Sequence, residues 1–247
     1  MRTLVIADIH ANLTALDAVL AAAGSVDAVW HCGDIVGYGP DPDDVVERLR
    51  GVGAIGVRGN HDEGVLADEH LDSFNPEARK AIEWTRTVMK PATRDYIEAL
   101  PLRLEPDGVT IVHGSPRDPI WEYIFTESVA ASGFRGFETP ICLHGHTHVP
   151  VVYRLEPSAG GEQDEHLRTT PGRDGLRVEL TGARFLLNPG SVGQPRDRDP
   201  RASFLVLDTG DGSATWHRVP YDTAAVQARM QKAGLPAWLI ERLSYGQ

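Results

Sequence analysis

Five short apolar runs in the first 150 residues each end on a block of glycine, carboxylate, amide or histidine, and this repeated ending constrains the fold more than any other feature. The blocks are Asp8-x-His10, Gly33-Asp34, Gly59-Asn60-His61-Asp62, His113-Gly114 and Gly145-His146-Thr147-His148. The runs before them, near residues 3–8, 27–32, 54–58, 109–113 and 140–144, are short and β-branched and read as strands. Helix-period segments alternate with the early ones. Asn12 is placed to cap a helix whose Leu13, Leu16, Val19, Leu20 and Ala23 share one face. A second helix, Pro42 to Arg50, begins among Asp41, Asp43 and Asp44, where carboxylates suit a helix N-terminus. Such alternation predicts βαβ units and an α/β fold. Loops leaving the carboxyl ends of parallel strands converge on one edge, so blocks more than a hundred residues apart can meet there.

After residue 148 the texture changes to strands divided by turns, at 149–155, 176–181, 184–187, 203–208 and 214–219, which suggests a second sheet packed against the first. The stretch 156–175, rich in Gly, Pro and charge, reads as a surface loop or hairpin insertion. Residues 222–244 read as two short helices parted near Gly234 and Pro236. A length of 247 residues fits one domain, 1–247. The net charge of −11 argues against a surface built to hold a long nucleic acid. No run approaches the roughly 18 apolar residues of a membrane span, and no signal peptide is expected from Met1-Arg2-Thr3 and the short run Leu4–Ala7. Cys32 and Cys142 lie in strand-like runs and are expected as buried free thiols. A cytoplasmic protein is therefore expected, with homo-oligomerisation left open.

The five blocks offer Asp8, His10, Asp34, Asn60, His113, His146 and His148, a mixed set of carboxylate, imidazole and amide that suits Mn, Fe, Zn, Ni or Co. Seven such side chains exceed what one tetrahedral ion needs. Two ions sharing a carboxylate use them all, with Asp34 as the natural bridge. Gly33, Gly59 and Gly145 are expected to turn the backbone tightly at the strand ends and aim the next side chain inward.

In this order the blocks resemble those of the calcineurin-like metallophosphoesterase superfamily, over residues 3 to about 150. The resemblance implies a four-layer α/β/β/α sandwich of two mixed sheets flanked by helices, with a dinuclear metal site at the carboxyl edge of the strands. It implies that Asp8, His10 and His148 hold one divalent ion, Asn60, His113 and His146 the other, and Asp34 both. His61 resembles the family's catalytic histidine. The strings Gly33-Asp-Ile-Val-Gly-Tyr-Gly-Pro40 and Leu187-Asn-Pro-Gly-Ser-Val-Gly-Gln-Pro-Arg196 are similar to a bacterial-type branch of small phosphoesterases. The chain departs from the protein Ser/Thr phosphatase pattern, because Gly37 and Tyr38 stand where an Asp and an Arg follow the bridging carboxylate. The usual partner of the catalytic histidine is thus missing; Asp62 is either its substitute or a solvent-facing or backbone-capping carboxylate.

The chemistry so implied is phosphoester hydrolysis by in-line attack of a hydroxide bridging two ions about 3.5–4 Å apart, with His61 as candidate general acid. The partner expected is a small phosphorylated substrate, nucleotides included. Arg117, Arg196 and Arg198 are candidate phosphate grips, and the Asn188-Pro-Gly-Ser191 turn is a weak candidate for offering side chains or backbone N–H groups. His31 and His144 read as histidines that support the ligand residues from behind or as buried structural ones, not as ligands. Trp84, Trp121, Tyr123 and Phe125 read as core packing, or alternatively as a wall over a base. The string Gly51-Val-Gly-Ala-Ile-Gly56 has a helix before it and a strand after, the reverse of a dinucleotide fingerprint. Cys32 lacks the Arg six residues on that a cysteine phosphatase needs; Tyr38 is there. Two rival readings stay open: a nuclease on the same fold, and a metal-binding scaffold without turnover.

Overall fold

The computed structural model describes residues 1–157 and 166–247. In chain order the elements are β1 (Arg2–Ile6), α1 (Leu13–Ala23), β2 (Ala28–His31), α2 (Pro42–Gly51), β3 (Ile55–Gly56), α3 (Asn60–Leu66), α4 (Pro76–Val88), α5 (Pro91–Glu98), β4 (Val109–Ile111), α6 (Glu127–Gly133), β5 (Ile141–Leu143), β6 (Val151–Glu156), β7 (His166–Pro171), β8 (Arg177–Glu179), β9 (Arg184–Asn188), β10 (Ala202–Asp208), β11 (Ser213–Val219), α7 (Thr223–Lys232) and α8 (Ala237–Glu241). The helix starts follow the expected chemistry. Asn12 accepts a hydrogen bond from Ala15 N at 3.1 Å, and α2 begins on Pro42 with Asp43 and Asp44 in its first turn.

The strands form two mixed sheets, β3-β2-β1-β10-β11-β8 and β4-β5-β9-β6-β7. Early and late strands are thus interleaved, which corrects the expectation that the strands after residue 148 build a sheet of their own. β10 runs antiparallel to β1 at the centre of one sheet, while in the other β9 pairs parallel with β5 and antiparallel with β6. The reason is burial on both faces. Phe204 and Val206 of β10 point to the helices while Leu205 and Leu207 point to the opposite sheet, so the strand fits only in a sheet interior. Apolar texture identifies such a strand without naming its partner.

Alternation along β1 sets the layers. Leu4 and Ile6 pack with Leu16, Val19, Val45 and Leu49 of α1 and α2. Val5 and Ala7 pack between the sheets with Trp30, Leu143, Phe185, Leu187 and Trp216. On the outer face of the second sheet, Cys142 and Leu186 meet Phe134 and Phe137 beside α6. Each such fully buried side chain contributes roughly 1.5–3 kcal/mol, so this double-sided core fixes strand register firmly. Cys32 and Cys142 are buried and unbridged. The 156–175 stretch contains β7, which pairs with β6 from Glu156↔His166 to Val151↔Pro171. Its largely exposed, apolar-poor strand gave no alternation to read; residues 158–165 lie outside the described residues. No helix among the described residues is long and apolar enough to cross a membrane.

Register brings the strand ends level. Ile6 lies beside His31, and His31 beside Gly56; in the other sheet Ile111 lies beside Leu143, and Leu143 beside Leu187. The five polar blocks therefore emerge along one common edge.

Candidate metal centre

At that edge the backbone is strained where chemistry concentrates. Asp8, His10, Asp34, His146 and His148 all have positive φ, between 51° and 66°. Left-handed backbone at a residue with a side chain costs on the order of 1–2 kcal/mol and persists only where neighbours over-determine it. Here they do so by hydrogen bonds between the loops: Asp8 N to Gly33 O at 3.1 Å, His10 N to Asp34 O at 2.9 Å and Gly145 N to His113 O at 2.9 Å. Gly33 itself has φ 85°. Gly59, by contrast, is extended and is needed for space, because a Cβ there would overlap the Asp34 carboxylate.

Two groups of donor atoms result. Asp8, His10, Asp34 and His148 form one, and Asp34, His113 and His146 the other, with all donor atoms of each group within 4.8 Å of one another. Asn60 joins the second through Oδ1, 3.0 Å from His113 Nε2. Asp34 Oδ2 stands between them, 3.6 Å from His10 Nε2 and 3.5 Å from His113 Nε2.

Backbone carbonyls select one nitrogen of each imidazole. His10 Nδ1 donates to Val36 O at 3.1 Å, His113 Nδ1 to Cys32 O at 2.8 Å and His148 Nδ1 to Gln194 O at 2.6 Å, whereas His146 donates through Nε2 to Trp121 O at 3.2 Å. Their other nitrogens are then lone pairs turned inward, and they face each other: His10 Nε2 to His148 Nε2 at 3.2 Å, His113 Nε2 to His146 Nδ1 at 3.0 Å. Asp8 Oδ2 and Asp34 Oδ2 are buried with no hydrogen-bond partner. Crowded lone pairs and orphaned carboxylate oxygens repel unless a cation sits among them, so the residues present fit divalent metal binding. Without that charge, burial pushes the Asp8 carboxyl up to about 7 and Asp34 well above the usual carboxylate range. Burial likewise holds His10, His146 and His148 well below the usual imidazole range.

The remaining sequence candidates divide sharply. His61 lines a cavity of about 380 Å³ beside the metal groups, together with Tyr38, Phe74, Trp121, Tyr123, Arg196 and others. Its Nδ1 is buried against Gly37 without a partner, and its ring lies tilted at 48° against Tyr38, centroids 4.3 Å apart. Burial, then Arg196 and His113, lower its pKa well below the usual imidazole range. Asp62 makes no hydrogen bond to it. Asp62 Oδ1 accepts from Ile35 N at 2.9 Å and Val36 N at 3.1 Å, and Oδ2 accepts from Gly59 N at 3.0 Å, so this carboxylate caps backbone and ties the Asp34 loop to α3.

Asn188 and Ser191 also act from beneath. Asn188 Nδ2 donates to Gly145 O at 2.8 Å and Thr147 Oγ1 at 3.1 Å, and Ser191 Oγ donates to Asp8 O at 2.8 Å. N–H groups of the turn are engaged within the protein: Val192 N and Gly193 N donate to Ala7 O and Asp8 O, 3.0 and 2.9 Å away. Arg117 is engaged with Glu122 and lies off the cavity lining. Arg198 is exposed. His31, at the end of β2, and His144, just after β5, are fully buried, each with its pKa lowered to about 4 by burial. The four aromatics part company: Trp121 and Tyr123 line the cavity, Phe125 stacks on Tyr123 at 5.2 Å, and Trp84 packs against the α4–α7–α8 cluster. Tyr123 covers His146, ring centroids 3.6 Å apart.

Sequence reasoning missed Gln194 and Trp121 as carbonyl suppliers, since a backbone acceptor leaves no trace in residue type. It also missed Trp238 and Arg242, which reach the cavity from the C-terminal segment.

Comparison with known proteins agrees with this geometry. Residues 1–212 match the calcineurin-like phosphoesterase superfamily domain. The chain belongs to that superfamily. Its fold superposes on the crystal structure of a metallophosphoesterase from Sphaerobacter thermophilus with a TM-score of 0.89 and 45% identity, over 100% of this chain and 99% of that one. An uncharacterised protein of Methanocaldococcus jannaschii is 37% identical over 98% of this chain and 97% of its own length. A symmetrical bis(5'-nucleosyl)-tetraphosphatase of Pectobacterium atrosepticum is 32% identical over 103 residues, 35% of this chain and 37% of its own. Superfamily membership and the buried His/Asp groups together make this a metal-binding protein of the phosphoester hydrolase class.

Proposed function

We propose that the chain is a dinuclear metal-dependent phosphoesterase acting on a small, nucleotide-like substrate. The observation that carries this reading is the pair of donor groups sharing Asp34, each with inward lone pairs and an orphaned carboxylate oxygen. Asp8, His10 and His148 would hold one divalent ion, Asn60, His113 and His146 the other, and Asp34 both. When bound, such a pair supplies a water of lowered pKa and neutralises charge on the phosphoryl oxygens.

The protein's own groups do the rest. Val36, Cys32, Gln194 and Trp121 carbonyls fix the four imidazole tautomers, so the donor atoms need no reorganisation. His61 presents its free ring edge to the cavity and gives a proton to the departing oxygen. An anionic leaving oxygen raises the imidazole pKa, opposing the lowering by burial and Arg196. Arg196 grips phosphate from the cavity wall, and Trp121 and Tyr123 offer flat faces to a ring. The nucleotide-like character is supported by these aromatics and by the tetraphosphatase relative. We assign the activity to the cytoplasm.

The test is hydrolysis of bis-p-nitrophenyl phosphate and p-nitrophenyl phosphate with added Mn²⁺, for wild type and Asp34→Asn. Metal-dependent turnover lost in the variant is expected, and the ratio of the two substrates reads diester against monoester preference. No turnover with Mn²⁺, Co²⁺, Ni²⁺ or Zn²⁺ refutes general phosphoesterase activity and favours the scaffold reading.

A further inference from the structure

Two arginines line the cavity beside the metal groups, and they arrive from separate parts of the chain. Arg196 sits on the loop after β9. Arg242 opens the short 3-10 turn Arg242–Ser244 that follows α8. The two segments are fastened together: Arg198 N donates to Gly246 O at 2.8 Å, and Gly246, at φ 63°, leaves no room for a Cβ against the Asp199 backbone. The fold therefore places two like charges at one cavity.

Neither arginine is paired with an Asp or Glu side chain among the described residues. Arg196 donates through Nη2 to Gln194 Oε1 at 3.0 Å and Tyr38 Oη at 3.3 Å, and its Nε is buried and unpartnered. Arg242 donates through Nε to the Gln247 main-chain oxygen and lies 5.9 Å over the Trp238 ring. Three other partly buried arginines are paired with acids: Arg58 with Glu63, Arg86 with Asp68 and Arg218 with Asp197. Burial, then Arg196, pushes the Arg242 guanidinium down to about 10. Two cations that line one cavity without an acidic side-chain partner make an anion site.

Charge then limits the occupant. On the dinuclear reading, Asp8 and Asp34 offset only part of the metal charge, and the arginine pair adds two positive charges beyond it. A simple diester, with one negative charge, leaves the cavity strongly cationic. We propose that Arg196 and Arg242 form a second anion subsite that grips a phosphoryl group other than the scissile one, so the substrate is a phosphoester carrying at least two phosphoryl groups. This inference rests on the phosphoesterase reading, and it adds the C-terminal turn to the specificity-determining elements.

The experiment compares inhibition of bis-p-nitrophenyl phosphate hydrolysis by AMP and by ADP, in the Mn²⁺-loaded wild type, Arg242→Gln, Arg196→Gln and Arg242→Lys. Arg177→Gln, on the exposed edge strand β8, controls for net charge. A charge-assisted grip on the extra phosphoryl group makes ADP bind about tenfold or more tighter than AMP. That preference collapses in both glutamine variants, is partly kept by lysine and is unaltered in the control. Equal loss of AMP and ADP binding, or a preference that survives Arg242→Gln, overturns the proposal. Quenching of tryptophan fluorescence by ADP is followed in parallel, since Trp238 and Trp121 border the site. If wild type fails to turn over any ester, the phosphoesterase reading falls, and the quenching titration still decides the subsite: equal ADP affinity in wild type and Arg242→Gln sinks it. Unfolding curves matching wild type show that each variant is folded.

Discussion

Removing the Asp62 carboxylate separates two roles that this residue can have in such a site. In the structure it accepts three backbone hydrogen bonds, from Ile35, Val36 and Gly59, at 2.9 to 3.1 Å, and is fully buried. Asp62→Ala strands three buried N–H groups, each worth roughly 1.5–3 kcal/mol when paired with a charged acceptor. Relief of the buried carboxylate's own desolvation, which raises its pKa, offsets part of that sum. The expected net loss is about 3–5 kcal/mol, a large share of the roughly 5–15 kcal/mol that holds a typical domain. For a chain of this size it corresponds to a fall in Tm on the order of 10 °C. Urea and thermal unfolding in EDTA read this loss apart from metal binding. Asp62→Asn is expected to lose less, since the amide oxygen still accepts while its NH₂ opposes one N–H. If Asp62 instead served His61, Asp62→Ala would depress kcat and leave metal-free stability within about 1 kcal/mol of wild type, and that outcome refutes the capping role.

Further expectations follow from the same contacts. Gly59→Ala puts a methyl group into the Asp34 carboxylate, and metal content after loading, read by elemental analysis, should fall below one ion per chain. Asn188→Ala removes the side chain that ties Gly145 and Thr147 to the Gly190 turn; a stability loss of about 1–3 kcal/mol is expected, with weaker Mn²⁺ binding by calorimetry because His146 and His148 lose their support. Stripping the metal should lower Tm, since a ligand at a hundred times its Kd stabilises by about 2.7 kcal/mol; unchanged melting in EDTA and in Mn²⁺ would contradict a preformed site.

How much of this was legible depends on where the information lies. The convergence of Asp8, His10, Asp34, Asn60, His113, His146 and His148 was readable because they are chemically unusual at strand ends, and strand ends of a parallel sheet converge. The role of Asp62 was half visible: an acid three residues after Gly59 is a helix-start signature, yet its bonds to Ile35 and Val36 cross between loops. Interleaving of the sheets was not legible, because β10 and β1 carry the same two-faced apolar pattern as their alternatives. Gly145 and Gly59 were expected to supply turn conformations; the structure uses both for close approach, to Ala7 and to Asp34, which depends on neighbours remote in sequence. Arg242 and Trp238 had no signal at all. Trp238 lies in α8 and Arg242 just after it, in a segment whose apolar Leu235, Leu239 and Leu243 read as ordinary packing.

Metal stoichiometry is the most direct test. Chelator-stripped protein is loaded with Mn²⁺, crystallised, and examined by anomalous scattering. Two peaks are predicted, one among Asp8, His10 and His148 and one among Asn60, His113 and His146, both within bonding distance of Asp34. A single peak, or an ion held elsewhere, would contradict the dinuclear centre.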